Sequence, residues 1–334
     1  MKILIVGLGS MGKRRIRNLL KLNYTDIIGF DTREDRRNEV FRLYGIQTVS
    51  DIVKGIEKNP HIMIISTPPN LHLHYAIIAL KNNIHFFMEI NLLTNDLKKI
   101  IKKSKTHSII ISPSSTMRFH PMVKKLKDLL NKKTIGKVLF VHHHAGQHLS
   151  DWHPWEHYTD FFVSKKETGG AKEIVMAELN WLMYVFPKIK SVYANIDKVS
   201  RLKANIDDIY QINMQFTNNS FGTFIADVIS IPSFKETKIL GDKGTILCDF
   251  NKKLIKINKG KSWSIVKIKD GKVAKGYRGN TPSESLYEYE IMEFLDVVMK
   301  KKKMSFTLND ELNILKTIDA IEKSSKLGKR ITLN

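Results

Sequence analysis

Cysteine is almost absent from this chain of 334 residues: Cys248 stands alone. A lone thiol cannot close an intrachain disulfide, which excludes a small stapled scaffold and suits a reducing compartment. Long apolar runs are missing as well. None approaches the ~18 residues that a membrane helix requires, and MKILIVGLG passes directly into a glycine motif, so a cytoplasmic protein with no membrane partner is expected. Acidic residues are few, 33 against 55 Lys plus Arg, for a formal net charge of +22. Such a charge invites a nucleic-acid reading. Yet 44 of the basic residues are lysines and only 11 are arginines, scattered among Ile and Asn rather than gathered beside aromatics. A solvated lysine coat follows, with nucleic acid an unfavoured partner. The run Lys300 to Lys303 fits an exposed loop after a helix.

The length argues for two domains, and 42% hydrophobic content is enough for each to bury a core. Over the first 120 residues short apolar runs (KILIVG, DIIGFD, HIMIIST, HFFME, SIIIS) alternate with amphipathic stretches at 12–22, 34–44, 72–82 and 95–105. Strands alternating with helices predict an α/β domain built on a doubly wound parallel sheet. From about Pro121 the pattern changes. A helix over 122–131 leads into longer strands (VLFVHHHAG, SVYANIDKVS, YQINMQFTNN, GTFIADVIS, TKILGDKGTILCDF, KLIKINK), which predict an α+β domain with an open, mostly antiparallel sheet. Helices at 284–300 and 309–326 close the chain. The expected division is 1–120 for the first domain and 121–334 for the second, with the last helices available to pack back on the first.

Gly7, Leu8, Gly9, Ser10, Met11 and Gly12 spell GLGSMG immediately after a strand and at the start of a helix, the context in which GxGxxG is informative. The first glycine permits the tight turn, the second lets backbone approach a pyrophosphate, and the third lets helix pack on strand. Asp31 ends the next strand, where a carboxylate can accept from the adenosine ribose hydroxyls. NAD is therefore favoured over NADP, although Arg33 and Arg36, just past Asp31 and Thr32, offer a runner-up site for a 2′-phosphate.

GLGSMG, ISTPPNLHLHYAIIALKNNIHFFME, MRFHP followed by IGKV, and YEYEIMEFLDVV with TLNDEL resemble the Gfo/Idh/MocA oxidoreductases from end to end. The resemblance implies a Rossmann domain, a second domain whose open sheet carries substrate and oligomer surfaces, and a pyranose, cyclitol or nucleotide-sugar substrate. It also implies that Ser66, Thr67, Pro68, Asn70 and His72, with Glu89 and Asn91 after the following strand, line the dinucleotide. Two features of that family are missing. Its Glu-Lys-Pro motif is here Glu89, Ile90, Asn91, so the lysine is gone. The Asp and His expected on the helix after a glycine pair fall on Ile174 and Glu178, or on Val175 and Leu179.

Hydride transfer still requires a group to take or give the hydroxyl proton. Glu178 is the first choice, on the ground that a carboxylate in a cleft can have a raised pKa; Lys172 and Glu173 follow. Glu173 and Glu178 are five residues apart, ~140° around a helix, and cannot share a face. In the alternative, redox chemistry has been lost and the protein is a sensor or subunit, or an enzyme whose bound NAD cycles without net redox.

Histidines 142, 143, 144, 148, 153 and 157 crowd one window, but no HExxH or paired cysteines complete a zinc pattern, so no metal is expected. Strand alternation sends His143 to the opposite face from His142 and His144. The loop HLSDWHPWEHY combines stacking surfaces with hydrogen-bonding groups and is similar to a Trp-and-Pro loop of family members in surface-polysaccharide and nonulosonic-acid pathways. His148, Trp152, His153 and Trp155 are its candidate substrate residues, joined by Arg118 at the domain junction. The expectation is an NAD-dependent oxidoreductase of an anionic sugar derivative, forming a homodimer or homotetramer through the C-terminal sheet.

Overall fold

A computed structural model describes residues 1–153, 155–277 and 279–333; Pro154, of the Trp-and-Pro loop, lies outside the described residues. The first part of the chain contains β1 (Ile3–Val6), α1 (Ser10–Lys21), β2 (Ile27–Phe30), α2 (Glu34–Tyr44), β3 (Gln47–Val49), α3 (Ile52–Ile56), β4 (Ile62–Ile65), α4 (His72–Lys81), β5 (His85–Met88), α5 (Thr94–Ser104) and β6 (Ile111–Pro113). Then follow α6 (Pro121–Asn131), β7 (Val138–Gly146), α7 (Ala171–Val185), β8 (Ile189–Asp197), β9 (Ile209–Phe216) and β10 (Phe221–Asp227). The chain ends with β11 (Phe234–Gly241), β12 (Gly244–Asp249), β13 (Leu254–Asn258), β14 (Trp263–Lys267), α8 (Glu284–Val298), α9 (Leu308–Leu327) and β15 (Ile331–Thr332).

Two compact units emerge: Met1–Ser115 with Tyr287–Asn313, and Thr116–Leu286 with Ile314–Asn334. In the first, six strands lie in the order β3-β2-β1-β4-β5-β6, every pair parallel, as the strand–helix alternation predicts. Strands covered by helices on both faces need apolar residues at every position. β1, β2 and β4 are buried throughout. Their side chains join Ile16 and Leu19 of α1 and Ile291, Phe294 and Leu295 of α8 in one core.

An ion cluster sits in this unit. Arg15, fully buried on α1, donates to both oxygens of Glu89 at 2.7 and 2.9 Å and to Glu290 at 2.8 Å, with its guanidinium 4.5 Å from the centre of the Phe87 ring. Glu290 also accepts from the Ser114 hydroxyl at 2.9 Å and from the Ser115 amide.

The second unit holds nine strands in the order β14-β13-β12-β11-β7-β10-β9-β8-β15, antiparallel except for the parallel pair β7 and β10. The mostly antiparallel expectation is met. TKILGDKGTILCDF, read as one strand, is a hairpin whose turn, Asp242 and Lys243, joins β11 to β12; two charged residues break the apolar run. The short β3 and β15 and the exposed β14 escape the sequence pattern because so little of them is apolar and buried. α7, fifteen residues long, follows the glycine pair where the family resemblance implies a helix.

Removing Arg15 would leave two carboxyls facing each other in a core. Arg15→Leu is expected to cost about 3–5 kcal/mol near neutral pH. Burial raises the Glu290 pKa, so the loss should shrink as pH falls and that carboxyl takes up a proton. Denaturant unfolding at two pH values measures both effects.

Candidate active site

The glycine turn of the first unit has geometry that only glycine tolerates at two of its three positions. Gly7 has φ +92°, and a Cβ there would lie 2.7 Å from the Ser66 carbonyl; at Gly12 it would lie 1.9 Å from the Gly7 carbonyl. At Gly9 a Cβ would touch only the Arg36 guanidinium, 3.4 Å away, the end of a long side chain rather than backbone. Gly9 is also the N-cap of α1, with no side-chain cap and no acid in the first turn, so Ser10 and Met11 present the end of a twelve-residue helix to an anion. Asp31 is buried against the turn, one oxygen accepting from the Leu8 amide at 2.8 Å and the other from the Arg33 amide at 2.9 Å. Thr32 and Arg33 are exposed; Arg33 pairs with Asp35, and Arg36 lies 3.6 Å from Asp31.

At the end of β4, Ser66, Thr67 and Pro68 are half-buried and Asn70 is exposed. The Thr67 hydroxyl is buried with no hydrogen-bond partner among the described residues. His72 is buried, one ring nitrogen 2.9 Å from the Thr67 carbonyl and the other 2.9 Å from Asn91. Glu89 is held by Arg15 and lies 3.3 Å from the Ser66 hydroxyl. The glycine turn, with only the Arg36 side chain against Gly9, and the orphaned Thr67 hydroxyl fit a dinucleotide.

In the second unit α7 carries all three proton-transfer candidates, and it separates them. Glu178 faces the sheet: it accepts from Trp181 at 2.6 Å, lies 3.0 Å from His143 of β7, and pairs with Lys235 of β11 at 2.5 Å. Burial alone would raise its pKa, but Lys235 and His143 outweigh that and hold the carboxyl well below the usual carboxylate range, the opposite of the raised value expected from sequence. His143 is fully buried, with Thr237 2.9 Å from its other nitrogen, and burial pushes its pKa down. Lys172 points elsewhere and pairs with Glu322 at 2.8 Å. Glu173 has a buried oxygen with no partner among the described residues, and burial pushes its pKa up to about 7.

Lys235 was not legible as a site residue, although a signal existed: it shares the inward phase of β11 with Thr237 and Ile239, while Glu236 and Lys238 point outward. His120 caps α6 through Nδ1, 3.1 Å from the Met122 amide, with Nε2 3.8 Å from Asp270; burial lowers its pKa to about 4. Arg118 bonds Asn180 of α7 at 3.3 Å and lies over the Tyr184 ring.

The loop after β7 forms an aromatic wall. His153 stacks on Trp155 (4.9 Å between ring centres) and on Phe161 (4.5 Å), and pairs with Glu156 at 2.8 Å. Trp155, half exposed, lines a cavity of about 420 Å³ with Ser150, Glu156, His157 and Tyr158. Trp152 donates to the Gln147 carbonyl at 3.3 Å and His148 lies 2.7 Å from the Ser150 hydroxyl. Among the described residues no group of three His, Cys, Asp or Glu is placed to hold a metal, and no helix is long and apolar enough to cross a membrane.

Residues 1–115 match the family model described as "Oxidoreductase family, NAD-binding Rossmann fold", and residues 123–247 match the Gfo/Idh/MocA C-terminal domain. The chain belongs to the Gfo/Idh/MocA oxidoreductase family. It is 28% identical over 142 residues to myo-inositol 2-dehydrogenase of Thermotoga maritima (41% of this chain, 42% of that one). It is 26% identical over 168 residues to 2,7-anhydro-N-acetylneuraminate hydratase of Mediterraneibacter gnavus (48% and 43%). The chain thus matches less than half the length of either relative. In fold it is similar to the WlbA dehydrogenase of Bordetella pertussis in complex with NADH and UDP-GlcNAcA, with TM-score 0.81 and 16% identity over 100% of this chain and 99% of that one.

Between the ordinary carboxyl value of 4.5 and about 7, Glu173 binds more protons in the folded than in the unfolded state. Its contribution to stability is therefore lost as pH rises through that window. Glu173→Gln should stabilise the protein by about 1–2 kcal/mol near pH 8, discounted for partial exposure, and change little near pH 4. Thermal unfolding at the two pH values checks this.

Proposed function

We propose that the protein is a cytoplasmic NAD-dependent oxidoreductase acting on an anionic sugar derivative, a sugar phosphate or nucleotide sugar, within surface-polysaccharide or nonulosonic-acid synthesis. The observation that carries the redox reading is the buried Lys235–Glu178–His143 cluster. In this reading the first-turn amides of α1 hold the pyrophosphate and Asp31 accepts from the adenosine ribose, where a 2′-phosphate would meet its carboxylate. Ser66, Thr67, Pro68, Asn70 and His72 line the nicotinamide side, and the Thr67 hydroxyl gains a partner. When bound, NAD supplies the hydride acceptor or donor.

Within the cluster Glu178 stays ionised and fixes the Lys235 ammonium in place. Lys235 donates a proton to the substrate oxygen during reduction, and its neutral amine takes the hydroxyl proton during oxidation. A lysine from the sheet thus serves where Ile90 cannot. Arg118, His148, Trp152, His153 and Trp155 are proposed to receive the substrate, the stacked His153 and Trp155 rings offering a flat face to a sugar ring. A second copy would pack on the sheet face turned away from α7, where Phe221 and Tyr193 are 49% and 37% exposed.

The hydratase among the relatives favours one second reading, an enzyme that uses bound NAD without net redox. The two separate by measurement: turnover of sugar phosphates or nucleotide sugars should accumulate or consume NADH stoichiometrically. Lys235→Met should lower kcat by roughly 10²–10⁴-fold while NADH still binds. Full activity in Lys235→Met would sink the assignment. NADH should bind more tightly than NADPH, and Asp31→Ala should erase the preference. Sedimentation should give a dimer or tetramer that Phe221→Asp weakens.

A further inference from the structure

Beneath the Thr67–Pro68 turn, three buried side chains of the first unit form a chain of hydrogen bonds through which the reaction above moves no proton. His72 stands between the Thr67 carbonyl and the Asn91 amide, 2.9 Å from each. The Asn91 amide is 2.9 Å from one Glu311 oxygen, and the Asn91 backbone N–H donates to the other at 3.1 Å. Glu311 lies in the first turn of α9 and is wholly buried. Asn91 departs from the Glu-Lys-Pro pattern at the proline position and so brings a backbone N–H that proline lacks; Glu311 takes it.

Proton counting decides the state of this chain. With the Asn91 oxygen toward His72, both ring nitrogens face oxygens and both must donate, which requires a buried imidazolium. Turning the Asn91 amide by 180° preserves its shape and exchanges its oxygen for nitrogen. The amide then donates to His72 Nδ1, and the neutral ring donates through Nε2 to the Thr67 carbonyl. The Asn91 oxygen now faces a Glu311 oxygen, a contact that holds only if Glu311 carries a proton. Every donor then meets an acceptor, and no charge is buried.

We propose that Glu311 is a positioning residue: as the neutral acid it donates to Asn91, sets His72 as the Nε2–H tautomer, and thereby pins the Thr67 carbonyl in the turn that lines the dinucleotide. This rests on the dinucleotide reading of that turn. The surroundings agree. Burial pushes Glu311 up to about 7, with Asn91 pulling in the other direction, while burial pushes His72 down. Glu89 is the charged group that acts on His72, and it is bound to Arg15 of α1. On α9 itself, Asp310 is engaged with the Thr307 amide and hydroxyl. When pH rises and Glu311 ionises, the Asn91 amide nitrogen must turn to the carboxylate and its oxygen to His72. The ring then donates through Nδ1, and a lone pair faces the Thr67 carbonyl. The pin is released.

Glu311→Gln separates this from a merely structural role, because its amide nitrogen can donate to Asn91 and its oxygen can accept the backbone N–H, copying the neutral acid at every pH. The ¹⁵N signals of the His72 ring, read without cofactor, should show the neutral Nε2–H tautomer in both proteins near pH 6. By about pH 8.5 the wild type should change to Nδ1–H while Glu311→Gln does not. NADH affinity should fall roughly ten-fold over that range in the wild type and stay level in Glu311→Gln. An imidazolium at His72 near pH 6, an unchanged tautomer in the wild type, or a Glu311→Gln profile that follows the wild type would overturn the proposal. A tautomer change in a protein that binds no NADH would uphold Glu311 as the pin of the Thr67 carbonyl and overturn the dinucleotide reading instead.

Discussion

A charge taken out of water must be met by an opposite charge or by enough hydrogen bonds, because a low-dielectric interior offers nothing else to solvate it. Both units of this protein are organised around that constraint. In the first, Arg15 lies under the sheet between Glu89 and Glu290, and so ties β5 to α1 and α8. In the second, Glu178 is met by Lys235, His143 and Trp181, which tie α7 to β7 and β11. Such clusters are rigid because moving any member strands another. The same property makes them suitable supports for chemistry that depends on holding a proton at a fixed place.

Different solutions to that constraint give three carboxyls three different chemistries. Glu178 has cationic partners and is held ionised. Glu173, one and a half turns earlier on the same helix, has a buried oxygen without a partner and is driven toward neutrality. Glu311 has only amide donors, and its second oxygen is best satisfied by a proton. Residue type alone therefore says little about role; the partners decide it. The glycine turn works by a simpler rule, that of excluded volume: side chains at Gly7 and Gly12 would strike carbonyls, while Gly9 faces only the end of the Arg36 side chain.

Much of the first unit is legible in the sequence alone. The glycine turn, Asp31 and the alternation of apolar and amphipathic stretches are local patterns, and local sterics and periodicity carry them. The open, mostly antiparallel sheet of the second unit was legible for the same reason, as was the separation of His143 from His142 and His144, since a strand alternates its faces. Short strands such as β3 and the turn inside the β11–β12 hairpin were not, because a few polar residues carry too weak a periodic signal.

What the sequence determined by itself was the succession of elements, the dinucleotide turn and the absence of the ordinary lysine at position 90. It also nominated Glu178, Lys172 and Glu173 without being able to rank them. Tertiary structure alone decided which of these is held ionised, which is driven toward neutrality and which is paired with Glu322. It also brought Lys235 to Glu178, and Glu311 to Asn91 across 220 residues of chain. The physical reason is that periodicity and steric exclusion act between neighbours in sequence, whereas the protonation state of a buried group is set by partners that only folding delivers.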